Sequence, residues 1–375
     1  MRHTLSQGME FAADSFRNLT VKTRVSKSTS LLEHQMLHLT NGDSTAEMLA
    51  QTDISGPALP WRDILHDGPV PATATIEDLA RIRSEFLASL GFGAFEEIHE
   101  YFGKRDAKLQ DLSAVDELVL WFEHDLYDQL QILQVLDRLV NLPEALRPKA
   151  WSMICIGSFP GISKFTGLGQ LLPSDLVTLF PQRSPLSSHQ LALGQSAWRA
   201  FCKSDPRLLQ TMLKQDLAAL PFLKPALERH FQQYPSLVDG LSQTEWLTLQ
   251  GLQAGLVQAG ALFRRHNHQE PRPFLGDWSY WQVLIKLSKG PCPAISLSAP
   301  SVHPPNWASK VDLTPFGEAL LNQEADFVRE NGVDQWHGGV HLLGHTIRWR
   351  WDRGQKTLVD LGHQTGARIL KPQFG

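Results

Sequence analysis

Three apolar runs in the first third of the chain each stop in a polar cluster, and the segments between them have helical spacing. Met36-Leu37-His38-Leu39-Thr40 runs into Asn41-Gly42-Asp43-Ser44. Ala58-Leu59-Pro60-Trp61 runs into Arg62-Asp63 and His66-Asp67-Gly68-Pro69. Leu118-Val119-Leu120-Trp121-Phe122 runs into Glu123-His124-Asp125. Short continuous apolar runs separated by helices are the pattern of an α/β protein with a mostly parallel sheet. Parallel strands joined by crossovers place their carboxyl ends on one edge, where open α/β sheets bind ligands.

Residues 36–41 read as a buried strand, and Ser44 to about Gln51 as a short helix. Asp43 or Ser44 is the expected N-cap, with Glu47 completing a capping box. Residues 58–63 form a second run, and 64–75, with Gly68, Pro69 and Pro71, must be loop. Ile76 to Leu90 has helical spacing. A further helix over Phe95 to Leu112 is expected to break near Gly103. Val115 to Phe122 is the clearest strand. Leu126, Leu130, Leu133, Leu136 and Val140 mark the next helix, and Trp151 to Ile156 a fourth buried strand.

Residues 158–240 change character. Gly, Pro and Ser are frequent up to 188, and helical patterns punctuated by Pro206, Pro221, Pro225 and Pro235 follow, so an all-helical extension or linker is expected. From Leu241 the order is helix, helix, strand, helix, hairpin, which predicts a winged-helix-like unit, with Gly338-Gly339 in the hairpin. The organisation expected is therefore an extension over 1–35, a Rossmann-like α/β domain over 36–157, a helical segment over 158–240 and a winged-helix-like α+β domain over 241–375. For residues 1–35 the two readings are a disordered extension and an organelle transit peptide.

The formal charge of −4 argues against a general polyanion-binding surface. Three cysteines, Cys155, Cys202 and Cys292, form no CxxC pair and give neither a disulfide framework nor a thiolate zinc site, which suits a reducing cytoplasm. No stretch approaches the roughly 18 apolar residues of a membrane span.

The motifs HLTNGDS at 38–44, WRDILHDGPVP at 61–71 and LWFEHDLYDQLQIL at 120–133 resemble the bacterial family catalogued as domain of unknown function (DUF) 1835. GLGQLLP at 167–173, GLSQTEWLTLQGLQAG at 240–255, PFLGD at 273–277, LTPFGEALL at 313–321 and DQWHGGVHLLGHTIRWRWD at 334–352 resemble the C-terminal domain that often accompanies it. The resemblance covers most of 36–361. It implies little about activity, because that family's function is unassigned.

The chemistry is therefore read from residues. Asn41, Gly42, Asp43 and Ser44 would lie at a helix N-terminus able to hold a phosphate or carboxylate, or would form an ordinary turn and cap. Arg62 can grip an anion bidentately, and His66 can act as general acid or base oriented by Asp63 or Asp67. The plainer alternative is turn chemistry at Asp67 and an internal Arg62–Asp63 salt bridge. Glu123, His124 and Asp125 end a strongly apolar strand, so they must pair, bind metal or open to a crevice. Asp125 also suits the cap of the next helix, with Asp128 and Gln129 on its first turn.

His66, Glu123, His124 and Asp63 are thus the candidate catalytic groups, and Asn41 to Ser44, Arg62, Asp67, Asp125, Asp128 and Gln129 the candidate ligand contacts. The mixed N/O set suits a divalent metal or a metal-free His–carboxylate pair, and no HExxH spacing decides between them. His337, His341 and His345 read as solvated hairpin histidines, and Trp336, Trp349 and Trp351 as a structural cluster. From Gly240 onward 13 Lys/Arg face 11 Asp/Glu, a weak basis for nucleic-acid binding.

Two functions follow. In the first, the α/β domain binds a small phosphorylated or nucleotide-like ligand and hydrolyses it or transfers a group. In the second, the chain is a ligand-sensing regulator whose winged-helix-like end contacts nucleic acid or a protein. The oligomeric state is not written in the sequence.

Overall fold

The computed structural model describes residues 35–73, 75–298 and 305–362. The expected N-terminal extension, apart from Gln35, lies outside them. In chain order, β1 (Met36–Thr40) leads to α1 (Asp43–Leu49), β2 (Ala58–Pro60), β3 (Gly68–Pro69), α2 (Ile76–Ser89), α3 (Phe95–Gln110), β4 (Glu117–Glu123), α4 (Leu126–Asn141) and β5 (Ala150–Ile156). After these come α5 (Pro173–Leu179), β6 (Ser184–Pro185), α6 (Ser188–Phe201), α7 (Arg207–Met212) and α8 (Leu223–Phe231). The last third holds α9 (Gln243–Gln253), α10 (Ala259–Gln269), α11 (Asp277–Leu287), β7 (Ile295–Leu297), β8 (Val311–Leu313), α12 (Pro315–Leu321) and α13 (Phe327–Asn331). Two antiparallel pairs close it: β9 (Val333–Gly338) with β10 (Val340–Gly344), and β11 (Trp349–Asp352) with β12 (Thr357–Asp360).

The molecule is mixed α/β around a mostly parallel five-stranded sheet of order β2-β1-β4-β5-β6. β1 pairs in parallel with both β2 and β4, and β4 with β5. The chain steps from β1 to β2 on one side and then to β4 on the other, so the strand order reverses between β1 and β4. A reversal of strand order is the place at which open α/β sheets commonly bind ligands, at the carboxyl ends of the strands. β4 is buried on both faces, as its unbroken apolar run requires. Leu118, Leu120 and Phe122 enter the large core, whereas Val119 and Trp121 pack with Leu49, Phe165, Leu168 and Leu176.

Several expectations are corrected. α1 begins at Asp43 with Gly42 as N-cap and no side-chain cap, so neither Asp43 nor Ser44 caps it. α3 runs unbroken through Gly103, where an added Cβ would meet nothing within 4 Å. A solvated position tolerates the ~1 kcal/mol that glycine costs a helix. The segment 64–75 is not wholly loop: β3 pairs in parallel with β9, Gly68 opposite His337. Nor is 158–240 wholly helical, because β6 adds an antiparallel edge strand beside β5.

Gly338-Gly339 does more than turn a hairpin. The Gly339 N–H donates to Phe201 O at 2.9 Å, the Val70 N–H to Gly338 O at 2.8 Å, and the Ala72 N–H to Cys202 O at 2.9 Å. A Cβ on Gly339 would lie 1.9 Å from Cys202 O, so this close approach requires glycine. The two glycines therefore lock β3, the end of α6 and β9 together. Among the described residues no helix is long and apolar enough to cross a membrane.

Candidate functional site at the carboxyl edge of the sheet

The loops leaving β1 and β4 meet. Asn41 Nδ2 donates to Glu123 Oε1 at 2.9 Å and to Asp128 Oδ2 at 3.1 Å, while Asn41 Oδ1 accepts from Thr45 Oγ1 at 3.1 Å. The Tyr127 hydroxyl donates to the Asn41 carbonyl at 3.1 Å. Asp125 caps α4 by accepting the Asp128 N–H at 3.0 Å. Asp128 accepts the Glu123 N–H at 2.7 Å, and Gln129 Nε2 donates to the Glu123 carbonyl at 2.7 Å. One oxygen from each of Glu123, Asp125 and Asp128 lies within 4.8 Å of the others.

All three carboxylates are buried and none has an ion-pair partner among the described residues. Burial pushes the Glu123 carboxyl well above the ordinary range, and Asp128 and Asp125 push it further. Burial and then Asp128 raise Asp125 likewise, and burial lifts Asp128 to about 7 against the pull of Asn41. Among the described residues the chain supplies only dipoles here: the Asn41 amide, the Glu123 and Asp128 N–H groups, and the Leu168 N–H that donates to Glu123 Oε1 at 2.5 Å. Gly167 allows that approach, since a Cβ there would fall 2.2 Å from Glu123 Oε2. Leu168 and Tyr127 were not singled out in the sequence. Gly167 and Leu168 lie in a loop without periodicity, and only the GLG triplet marks it.

The second cluster divides. Arg62 Nε donates to both Asp43 oxygens, at 2.7 and 2.9 Å, and its guanidinium lies 4.6 Å over the Tyr101 ring. Asp63 turns inward to Arg83, 2.7 Å away, with both side chains 1 % exposed. The alternative of an internal Arg62–Asp63 salt bridge gives way to two pairs, Arg62–Asp43 and Arg83–Asp63. Adjacent residues leaving an extended segment point to opposite sides, which carries Arg62 to Asp43 at the start of α1 and Asp63 to the core.

His66 is buried edge-on to Phe274 at 5.2 Å and lies 6.1 Å from the Tyr127 ring, with neither ring nitrogen hydrogen-bonded. Burial and the nearby Arg83 hold it down at about 3, so it stays neutral and touches the site only through Tyr127. Asp67 accepts the Gly68 N–H at 2.8 Å, and burial raises its pKa against the pull of Arg83. His124 packs between Phe165 and Phe222, each 5.9 Å away, and burial with Arg272 lowers it to about 4. Ser44 is half-buried in the first turn of α1, and Gly42 has open space where a Cβ would point.

The C-terminal histidines separate similarly. His337 is buried and stacked 4.2 Å from Tyr234, which corrects the expectation of a solvated residue. His341 stacks on Trp336 and meets Asp334 at 2.7 Å, and His345 contacts the Arg329 carbonyl at 2.8 Å. Two half-open cavities, of about 350 and 670 Å³, lie elsewhere in the molecule. No protein-family model matches the chain, and no curated protein is detectably similar to it.

Proposed function

We propose that the chain binds a small phosphorylated or nucleotide-like ligand at the carboxyl edge of its sheet, bridged by a divalent cation to Glu123, Asp125 and Asp128. The observation that carries this reading is their convergence, with no cation paired to them among the described residues, at the reversal of strand order between β1 and β4. Three carboxylates so close cannot all ionise unless a positive charge joins them. Oxygen-only donors suit Mg²⁺ or Mn²⁺, which characteristically keep open positions for phosphate oxygens and water. A cation so placed would polarise a phosphoryl group for hydrolysis or transfer. The Gly42 backbone and Arg62, opposite it across Asp43, supply the remaining anion contacts.

The strand order supports a Rossmann-like reading of the sheet, and the motifs quoted above support the DUF1835 resemblance. The order α9, α10, α11, β7, β8, with an isolated bridge between Gln258 and Lys310, supports the winged-helix-like reading. Nucleic-acid reading through α11 is not favoured. That helix buries Trp278, Tyr280 and Trp281, donates from the Trp278 indole to Leu90 O at 2.7 Å, and pairs Lys286 with Glu245. We assign it to holding the α/β domain.

The test is calorimetric titration of the full chain with Mg²⁺ and Mn²⁺, then with nucleoside diphosphates and sugar phosphates in their presence. Saturable cation binding that Asp128→Asn and Glu123→Gln each weaken at least tenfold, with ligand binding that requires the cation, is expected. Phosphate ligands binding equally well with a chelator present would remove the carboxylates from the site.

A further inference from the structure

The larger cavity, of about 670 Å³, lies where α2, α3, α4 and α6 meet, away from the strand-edge carboxylates. Its volume falls within the roughly 300–1,000 Å³ of small-molecule sites. Leu79, Leu109, Leu142, Leu146 and Trp198 give it apolar walls, and Arg138, Arg199 and Lys203 contribute cationic groups.

The charges around it do not balance. The Arg138 side chain is only 11 % exposed; no hydrogen bond holds it among the described residues, its nearest carboxylate oxygen is Asp106 Oδ2 at 3.7 Å, too long for a hydrogen bond, and Asp137 and Glu77 act on it only from farther away. Asp106 is already held through its other oxygen by Arg105, at 2.9 and 3.0 Å. Arg105 is itself buried, 3.9 Å over the Trp61 ring and 4.3 Å over Phe102, with Nη1 unpartnered. Two buried guanidiniums therefore share one carboxylate. The other lining carboxylate, Asp137, faces Arg199 at 3.7 Å. Lys203, at the exposed end of α6, has no ion pair among the described residues. An uncompensated buried charge is strongly unfavourable, and a guanidinium with unused donors is a carboxylate or phosphate site in waiting.

We propose that this cavity binds an amphipathic organic anion, its headgroup on Arg138 with Lys203 alongside and its hydrocarbon body against the leucines and Trp198. The headgroup chemistry is that of a carboxylate or a phosphate monoester. Asp106 stays paired to Arg105 and leaves the outer edge of Arg138 to the ligand. The proposal is independent of the strand-edge reading.

The experiment titrates the full chain calorimetrically with octanoate, octyl phosphate, octanol and octylamine, below their aggregation concentrations. At least one of the two anions is expected to bind tenfold or more tighter than octanol and octylamine, and the tighter anion identifies the headgroup. Arg138→Met should weaken that anion at least tenfold and leave octanol unchanged. Lys203→Glu, on the surface and clear of the core, should weaken it severalfold and serves if Arg138→Met fails to fold. Anions binding no tighter than octanol, or unaffected by Lys203→Glu and by a folded Arg138→Met, would overturn the proposal.

Discussion

Asp63 and Glu123 are both buried carboxylates at the ends of apolar runs, yet their partners differ. Asp63 meets Arg83 in a buried pair, and Arg83 also donates to the Asp67 carbonyl at 2.7 Å. Removing one partner strands the other charge, so Asp63→Ala should destabilise the fold by about 3–5 kcal/mol, read by urea unfolding. A loss under 1 kcal/mol would mean that water solvates Arg83. Glu123 has only dipoles and like charges around it, so the sign reverses. A carboxyl whose folded pKa is raised contributes stability that is present below its unfolded value, near 4, and lost as pH rises through the folded value, about 7 for Asp128. At pH 8 without divalent cation, Glu123→Gln should therefore melt a few degrees above wild type. Saturating Mn²⁺ should reverse that order. A variant that melts lower under both conditions would show that Glu123 is stabilised as it stands.

At the scale of elements, the sequence was most legible where one local rule suffices. β4 followed from an unbroken apolar run, and the α4 cap from Asp125 three residues before Asp128. The meeting of Asn41 with Glu123 needed only parallel strands with their ends on one edge. Pairing across long stretches of chain was not legible. β3 is a Gly-Pro dipeptide without periodicity, and its partner β9 belongs to the last third of the molecule. The same holds for Arg83, which reads as one more charge on α2 until the fold brings Asp63 to it. Gly339 marks this hidden joint. Gly339→Ala would drive its Cβ into Cys202 O and break the bond from the Gly339 N–H to Phe201 O. Overpacking of this kind costs about 1–3 kcal/mol. Hydrogen exchange should rise first in residues 68–72 and 333–344, ahead of β1 and β4. Uniform acceleration across the sheet would mean that the joint and the sheet unfold together.

Across the whole molecule, the interior depends on histidines that stay uncharged. His66 follows β2, His230 sits on α8, His266 on α10 and His337 on β9, and all four are buried with neither ring nitrogen hydrogen-bonded, although His266 Nε2 faces Glu270 Oε1 at 3.7 Å. His230 lies 5.2 Å from Phe201, 5.8 Å from Tyr234 and 6.1 Å from His337, so it serves as one more aromatic ring where distant parts of the chain meet. Burial holds His66 and His230 at about 3 and His266 at about 4, and drives His337 well below its ordinary value. The unfolded chain takes up these protons near pH 6.5 and the folded chain does not. Their stabilisation is complete above 6.5 and falls away as pH drops toward 4, at up to about 1.4 kcal/mol per pH unit for each histidine. The raised carboxylates change stability in the opposite direction over the same window, so the wild-type slope is a difference between the two sets. Replacing one member isolates its share. His230→Phe keeps an aromatic ring among Phe201, Phe231 and Tyr234 and removes one proton from the linkage. Urea unfolding from pH 7 to pH 4 should then give a slope of stability against pH that is lower than wild type, in the signed sense, by about one proton. A slope equal to wild type would mean that His230 is charged or hydrated inside the fold, and that this core is wetter than its contacts indicate.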